Sequence, residues 1–371
     1  SGVLLVGPSS SSIVQGNWIG TGEGGTQDIG NTRYGVDISR SANNTVRDNV
    51  ISGNDDDGVL IDGTNLAGTF GNVVAGNIIG LESDGSTPLP NTGNGVQIVR
   101  GAFNNTIGGI IGSDANVISG NSQHGVQILD AATTSNTVSR NLIGTDNTGS
   151  LNRGNTFMGV HIASGASGNV VGGTAAGAGN IISGNDLDGV NIGEPFGSTS
   201  GASNNRVEGN YIGTDFFGSL PLGNGREGVL IASGATGNVI GGSSLAARNI
   251  ISGNLQRGIR IADPGTDGNF VQGNYIGTDV TGKKPVGNVL AGVRIDAGAQ
   301  NNIVGVDGVG GGLVGQRNVI SGNELDGVQF DAANTNTVAG NLIGTDVTGT
   351  FLPGITESFE YTAGPDITGA D

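Results

Sequence analysis

The chain contains 371 residues, among them 74 glycines, two lysines and no cysteine, and its formal net charge is −17 at pH 7. Without cysteine there are no disulfides and no thiolate metal sites, and a chain this acidic makes a poor partner for nucleic acid or for an anionic membrane. No run of about 18 apolar residues is present, so the sequence predicts no membrane-spanning segment.

Three short phrases follow one another in a fixed order along the chain. Phrase B begins as GVLLV at residues 2–6 and later reads G-V-x-I, and phrase C begins as SSIVQGN at residues 11–17 and later reads N-x-V. Phrase A reads N-x-I and is followed by either G-T-D or S-G-N. Each phrase alternates apolar with polar or small residues, which is the periodicity of a β-strand.

The three phrases together form a unit that recurs about every 32 residues between Val36 and Val328. One unit cannot bury its apolar side chains, whereas units stacked about 4.8 Å apart pair each strand with its equivalents above and below. We therefore predict an all-β fold, a single parallel β-helix of about eleven three-strand coils over residues 1–350. Residues 351–371 depart from the pattern and are predicted to form a non-repeat tail or an end cap.

Strand periodicity also predicts which side chains face the interior. In G-V-x-I the valine and isoleucine point inward and x points outward, while the corner asparagines bond the asparagine of the next coil or cap a turn. The A-to-B connection is long after G-T-D, and the C-to-A connection is usually long before N-x-I-S-G-N. Insertions are thus expected at different corners on alternate coils, in a superrepeat of about 65 residues.

The ISGN and GVxI phrases resemble those of secreted right-handed parallel β-helix repeat proteins, the pectate-lyase-like class that also contains polygalacturonases and mannuronan epimerases. The resemblance covers residues 1 to about 350. It implies a right-handed helix and an extracellular or cell-surface location. For the enzymes of the class, it implies a polysaccharide groove across the outward side chains of neighbouring coils.

The catalytic phrases of these enzymes are incomplete in this chain. The segment Tyr34-Gly-Val-Asp37 lacks the histidine and the second aspartate that complete the epimerase phrase. The pair His124-Gly125 matches the polygalacturonase His-Gly in form only. The resemblance is therefore specific for the fold and weak for activity.

Two outward columns of phrase B form the surface on which chemistry is expected: the x residues and the residues that precede the glycine. They place the only two histidines on neighbouring coils, followed by Asp188 and Asn191 and then by an arginine-rich end. An imidazole, a carboxylate and guanidinium groups on one strip can perform acid–base chemistry on a sugar ring. The catalytic candidates, for an enzyme, are His161, Asp188 and Arg260, and the ligand-binding candidates are His124, His161, Asn191, Arg260 and Arg294. The alternative is that these are ordinary solvated side chains.

An aspartate recurs at one corner on alternate coils, in the phrase I-G-T-D. Carboxylates together with turn carbonyls are calcium ligands, but the glycine-rich calcium-binding repeat is absent from the sequence. Each aspartate also precedes a turn that ends in glycine, where an Asx-turn hydrogen bond is a sufficient explanation. We therefore predict no cofactor, with calcium as the alternative at Asp146, Asp215, Asp279 and Asp346.

Two classes of function remain open from the sequence. The regularity of the repeat favours a non-enzymatic extracellular structural, adhesive or filament-forming protein, because enzymes tend to break their own pattern at the site. The alternative, which rests on fold analogy and on the histidine pair, is a polysaccharide lyase, glycoside hydrolase or epimerase. The sequence starts at a B phrase and its last A phrase is not followed by one. Two interpretations are open: the chain is a segment of a longer protein, or molecules associate end to end.

Overall fold

The computed structural model describes residues 1–64, 68–194, 201–308 and 313–350. Within these ranges, 33 strands form three parallel sheets of eleven strands each. The B, C and A phrases of each coil supply one strand each to sheets that we call B, C and A. The predicted all-β fold, a right-handed parallel β-helix of about eleven three-strand coils, is confirmed.

The strand bounds define the coils, which we number 1 to 11 from the N-terminus. Sheet B consists of Val3–Val6, Val36–Ser39, Val59–Asp62, Val96–Val99, Val126–Leu129, Val160–Ala163, Val190–Ile192, Val229–Ile231, Ile259–Ala262, Val293–Asp296 and Val328–Asp331. Sheet C consists of Ile13–Gln15, Thr45–Arg47, Val73–Ala75, Thr106–Gly108, Thr137–Ser139, Val170–Gly172, Arg206–Glu208, Val239–Gly241, Phe270–Gln272, Ile303–Gly305 and Thr337–Ala339. Sheet A consists of Trp18–Ile19, Val50–Ile51, Ile78–Ile79, Val117–Ile118, Leu142–Ile143, Ile181–Ile182, Tyr211–Ile212, Ile250–Ile251, Tyr275–Ile276, Val319–Ile320 and Leu342–Ile343.

Short helices lie in three of the C-to-A connections, on coils 4, 8 and 10. They are two 3₁₀ helices, Gly112–Asp114 and Leu245–Ala247, and one α-helical turn, Leu313–Gln316. Among the described residues, no helix has the length and hydrophobicity needed to cross a bilayer. The predicted tail at residues 351–371 lies outside the described residues.

The interior of the helix is a column of buried valine and isoleucine. Val160 and Ile162 of coil 6 are fully buried and lie in register with Val190 and Ile192 of coil 7. Burial of one such side chain contributes about 1.5–3 kcal/mol, and the same two positions recur along sheet B. The prediction that the valine and isoleucine of G-V-x-I face the core is confirmed.

Asparagine ladders run along all three corners of the coils. At a typical rung, the backbone N–H and the side-chain Nδ2 of Asn136 both donate to Oδ1 of Asn169, at 2.9 and 3.0 Å. Each rung therefore satisfies buried backbone and side-chain groups at a bend where no strand partner is available. The ladders run from Asn44 to Asn336 before sheet C, from Asn17 to Asn341 before sheet A, and from Asn31 to Asn323 after sheet A.

The long A-to-B connections of the odd-numbered coils fold into hairpins. Thr145 pairs with Asn152 across the hairpin of coil 5. The backbone N–H of Asn147 in that hairpin donates to the carbonyl of Gly85, two coils earlier, at 2.9 Å. The long C-to-A connections lie on coils 4, 6, 8 and 10, so insertions emerge at different corners on alternate coils, as the sequence predicts.

Candidate functional site

The outward columns of sheet B form a polar strip along the helix. We use this name for the x residues of G-V-x-I together with the residues that precede the glycine. The centre of the polar strip is buried: His124 is 7 % exposed, His161 is 4 % exposed, and Asp188, Asn191 and Glu227 are 0 % exposed. The interpretation as ordinary solvated side chains is therefore wrong here, because side chains about 4.8 Å apart on neighbouring coils pack against one another and exclude water.

A hydrogen-bonded chain of amides and an imidazole occupies coils 4 to 6. Gln97 Nε2 donates to Gln127 Oε1 at 2.8 Å, and Gln127 Nε2 lies 3.2 Å from His161 Nδ1. Because an amide nitrogen can only donate, Nδ1 accepts and Nε2 carries the imidazole proton. His161 Nε2 donates that proton to the Gly193 carbonyl at 3.1 Å, so both ring nitrogens are engaged.

The two histidines contact each other on neighbouring coils. Their ring centroids are 4.7 Å apart, and His124 Nδ1 accepts the backbone N–H of Met158 at 3.3 Å. Burial and the charge of His161 lower the pKa of His124 to about 3, and burial lowers the pKa of His161. Both imidazoles are therefore neutral at pH 7 and act as packed hydrogen-bonding groups.

Two buried carboxylates follow on coils 7 and 8. Asp188 Oδ1 accepts the backbone N–H of Glu227 at 3.2 Å, and Asp188 Oδ2 accepts Asn191 Nδ2 at 3.0 Å. Burial and the neighbouring Glu227 charge raise the pKa of Asp188 to about 6. Arg257 Nη1 donates to Glu227 Oε1 at 3.1 Å, so the glutamate has its own counter-ion.

Arginines and carboxylates alternate at the C-terminal end of the polar strip. Arg260 lies 3.0 Å from Asp296, and Arg294 contacts the same carboxylate at 2.7 Å. Arg294 also lies 2.7 Å from Asp331. The guanidinium groups of this end are thus held by carboxylates of the same coil or of the next one.

A cleft of about 230 Å³ opens over coils 7 to 9, where the acidic part of the strip meets the arginines. Its polar lining consists of Asn191, Arg226, Arg260 and Asp263. Asn191 Oδ1 is buried and has no hydrogen-bond partner among the described residues, and the same is true of Glu227 Oε2. The cleft therefore offers an unused buried acceptor beside two guanidinium groups.

The comparisons with known proteins concern the fold alone. No protein-family model and no curated protein matches the chain. The Azotobacter vinelandii mannuronan C-5 epimerase AlgE6 A-module is similar at 16% identity and a TM-score of 0.43, covering 89% of this chain and 88% of its own. A periplasmic alginate epimerase AlgG double mutant is similar at 12% identity and a TM-score of 0.42, covering 92% and 78%. The Dettilon tailspike protein is similar at 15% identity and a TM-score of 0.40, and the match spans 87% of this chain and 60% of the tailspike.

The sheet topology shows the fold. Each of the three sheets contains one strand from every coil, in parallel and in coil order. The chain is a right-handed parallel β-helix protein. In this β-helix protein the B, C and A strands recur without interruption from coil 1 to coil 11, and the cleft lies beyond the middle of the stack.

The predicted catalytic residues lie on three different coils of the β-helix protein. His161 is on coil 6, Asp188 on coil 7 and Arg260 on coil 9, so His161 and Arg260 are roughly 14 Å apart along the axis at about 4.8 Å per coil. Of the predicted ligand-binding residues, Asn191 and Arg260 line the cleft. The two histidines instead form a separate contact, and Arg294 is held in ion pairs.

Three residues near the cleft were not singled out from the sequence. Glu227 stands one coil after Asp188 in the same column, so the repeat register was the signal that could have identified the pair. Arg226 and Asp263 lie just outside the two columns of the β-helix protein. No periodic signal marks them, because connections vary from coil to coil.

The I-G-T-D aspartates have local hydrogen-bond partners. Asp146 Oδ1 accepts the backbone N–H groups of Ser150 and Leu151, both at 3.0 Å, and both carboxylate oxygens accept the hydroxyl of Thr148. Asp215, Asp279 and Asp346 make similar bonds within their own hairpins. These contacts are those expected of the turn-capping interpretation. Within the described ranges, no group of three or more histidine, aspartate or glutamate side chains is arranged to hold a metal ion.

Proposed function

We propose that the protein is a non-enzymatic structural β-solenoid of the extracellular space or the cell surface. The observation that supports this proposal is the closure of the polar strip: its imidazoles, carboxylates and guanidinium groups are bonded to side chains or backbone of the same coil or of a neighbouring coil. Groups held in this way stabilise the stack and leave few reactive atoms open to solvent.

The chemistry of the histidines argues in the same direction. A general base must be able to take a proton near the working pH. The buried His161 has both nitrogens in hydrogen bonds and a lowered pKa, so it binds a proton less readily than a free imidazole. His161 is therefore better suited to holding neighbouring coils together than to acting as a general base.

An activity panel tests the non-enzymatic role. The purified protein is incubated with uronate-containing and neutral polysaccharides, and ¹H NMR records new reducing ends, unsaturated uronates and changes in epimer ratio. We expect none of these products. Turnover by the unmodified protein that disappears in His161→Ala or Asp188→Asn would overturn the proposal.

A polysaccharide-active enzyme is the second candidate, and the cleft over coils 7 to 9 is what favours it. Asp188 lies behind the cleft lining, where it accepts a hydrogen bond from Asn191, and its carboxyl, with a pKa of about 6, can exchange protons near neutral pH. The unused acceptor on Asn191 and the guanidinium group of Arg260 could orient a sugar there.

The matched pair Asp188→Asn and Asp326→Asn separates the two candidates. Asp326 occupies the same column on coil 11 but is exposed. Turnover that is lost in Asp188→Asn and kept in Asp326→Asn would establish the enzyme. Turnover that both variants retain would exclude Asp188 from any reaction.

Association of rods end to end remains part of the structural proposal. A parallel β-helix can extend by pairing the strand edges of two molecules, in the way that an exposed sheet edge accepts a new strand. Sedimentation velocity at increasing concentration should show elongated oligomers. A single monomer peak at every concentration would remove filament formation from the proposal.

A further inference from the structure

The long C-to-A connections of coils 4, 6, 8 and 10 stand apart, with gaps at coils 5, 7 and 9, where the connection is short. The three gaps are equivalent positions of the repeat, occupied by Arg140, Gly209 and Gly273. Each of these residues precedes a ladder asparagine, and each donates its backbone N–H to the connection of the next coil, at 2.8, 3.1 and 2.9 Å respectively. The gaps can therefore be compared with one another directly.

Two of the gaps contain an arginine guanidinium group from the chain itself. In the gap at coil 9, Arg248 lies over the ring of Tyr275 with Cζ 4.0 Å from the ring centroid, and its Nε donates to the Gly273 carbonyl at 3.1 Å. In the gap at coil 5, Arg140 Nη1 donates to the Gly177 carbonyl at 2.9 Å. In the gap at coil 9, the guanidinium group is thus held both by an aromatic ring and by a backbone carbonyl.

The gap at coil 7 has the same framework and contains a cavity of about 310 Å³. Tyr211 lines this cavity and occupies the strand position of Tyr275 two coils later, as Gly209 occupies that of Gly273. Gly179 stands where Arg248 stands in coil 8, since each precedes a ladder asparagine. No charged side chain lines the cavity in the described part of the chain.

Glycine at position 179 keeps the cavity open. A Cβ added to Gly179 would overlap the carbonyl oxygen of Gly209, so the local backbone excludes an arginine side chain. Two further carbonyls converge on this place: a Cβ on Gly209 would lie 2.7 Å from the oxygen of Gly173 and 3.0 Å from that of Ala246. The equivalent Gly273 meets the carbonyls of Gly242 and Gly315 in the same way.

We propose that the cavity at Tyr211 binds a guanidinium group, stacked on the tyrosine ring and donating to the surrounding backbone carbonyls. The group is supplied either by a small guanidinium compound or by an arginine side chain of a binding partner. The site reproduces, with an external cation, the contact that Arg248 makes with Tyr275. The net charge of −17 favours the approach of a cation. This inference is independent of the proposed structural role.

Fluorine NMR of the full chain labelled with 3-fluorotyrosine tests the site, because the chain has only four tyrosines. The probes are guanidinium chloride at millimolar concentration, the peptide Gly-Arg-Gly, and Gly-citrulline-Gly as the neutral analogue. We expect Gly-Arg-Gly to shift the Tyr211 resonance and leave Tyr34 unchanged, and the citrulline peptide to shift neither. A response to guanidinium ion equal to that of the peptide identifies a small-molecule site, and a response to the peptide alone identifies a side-chain site.

Two variants extend the test: one removes the tyrosine ring from the proposed site, and the other opens the equivalent site at Tyr275. Tyr211→Leu should weaken binding roughly fivefold or more, with circular dichroism confirming the fold. Arg248→Ala should uncover Tyr275, so that its resonance also responds and the stoichiometry rises from one to two. The inference would be overturned by a Tyr211 resonance that Gly-Arg-Gly does not shift, or by an equal shift with the citrulline peptide. A Tyr275 resonance that stays unchanged in the Arg248→Ala variant would also overturn it.

Discussion

Asp188 and Glu227 occupy the same outward column on neighbouring coils, and the backbone N–H of Glu227 donates to Asp188 Oδ1 at 3.2 Å. Both side chains are fully buried, but only Glu227 is paired directly with an arginine, Arg257. The polar strip therefore places a carboxyl of raised pKa beside a carboxylate that has its own counter-ion. Asp188, which accepts a hydrogen bond from the cleft residue Asn191, therefore has a carboxyl that titrates near neutral pH.

We predict that Asp188→Asn stabilises the protein at pH 7 but not at pH 4. The folded carboxyl has a pKa of about 6 against an ordinary value of 3.8, so between these pH values the folded state binds more protons than the unfolded state. The free energy of unfolding therefore falls as pH rises through this window, and the loss persists above it. The asparagine removes this loss: its oxygen can keep the bond from the Glu227 N–H, and its Nδ2 can donate to Oδ1 of Asn191 once the Asn191 amide turns over.

Urea denaturation at pH 4 and pH 7 measures this effect. The expected gain at pH 7 is about 1–3 kcal/mol, and the exposed Asp326→Asn is the control that should change neither value. A variant that is less stable than the parent at pH 7 would show that the Asp188 carboxylate is stabilised by its surroundings.

The asparagine ladders should contribute strongly to stability. We predict that Asn169→Ala lowers the free energy of unfolding by about 2–3 kcal/mol, because the backbone N–H and Nδ2 of Asn136 lose their shared acceptor in a buried corner. Asn147→Ala removes an exposed hydrogen bond to the carbonyl of Asp84 and should cost less than about 0.5 kcal/mol. Equal losses in the two variants, measured by denaturant unfolding, would contradict a special role for the ladders.

The glycine of G-V-x-I is predicted to be required by packing. A Cβ on Gly159 would lie 2.5 Å from Cγ2 of Ile182 and 2.7 Å from the carbonyl of Gly189. Gly159→Ala should therefore lower the melting temperature, with a cost of about 1–3 kcal/mol. Gly112→Ala, whose Cβ would approach only Arg140 at 3.7 Å, is the matched control and should leave the melting temperature within a degree or two of the parent. An unchanged melting temperature in Gly159→Ala would show that neighbouring coils can separate to accommodate a methyl group.

The sequence was sufficient for the fold because each local rule repeats. Val160 and Ile162 reveal the inward face through period-two alternation, and the spacing of the asparagines marks the corners. The same rule misled the interpretation of His161, since an outward strand position suggests solvent. Its burial depends on Gln127 and Asn191, the side chains that lie in register on the coils before and after it. That contact between distant segments is visible only when the register of the coils is known.

The protonation of the two histidines tests the closed polar strip most directly. Selective ¹⁵N labelling gives signals from only two imidazoles, and long-range ¹H–¹⁵N correlation spectra report the tautomer and charge of each. We predict that His161 is neutral at pH 7 with its proton on Nε2 and takes up a proton only below its ordinary value of 6.5, and that His124 stays uncharged from pH 7 to pH 5, in keeping with its pKa of about 3. Titration of either imidazole near its ordinary value of 6.5 would show that the strip is open to water.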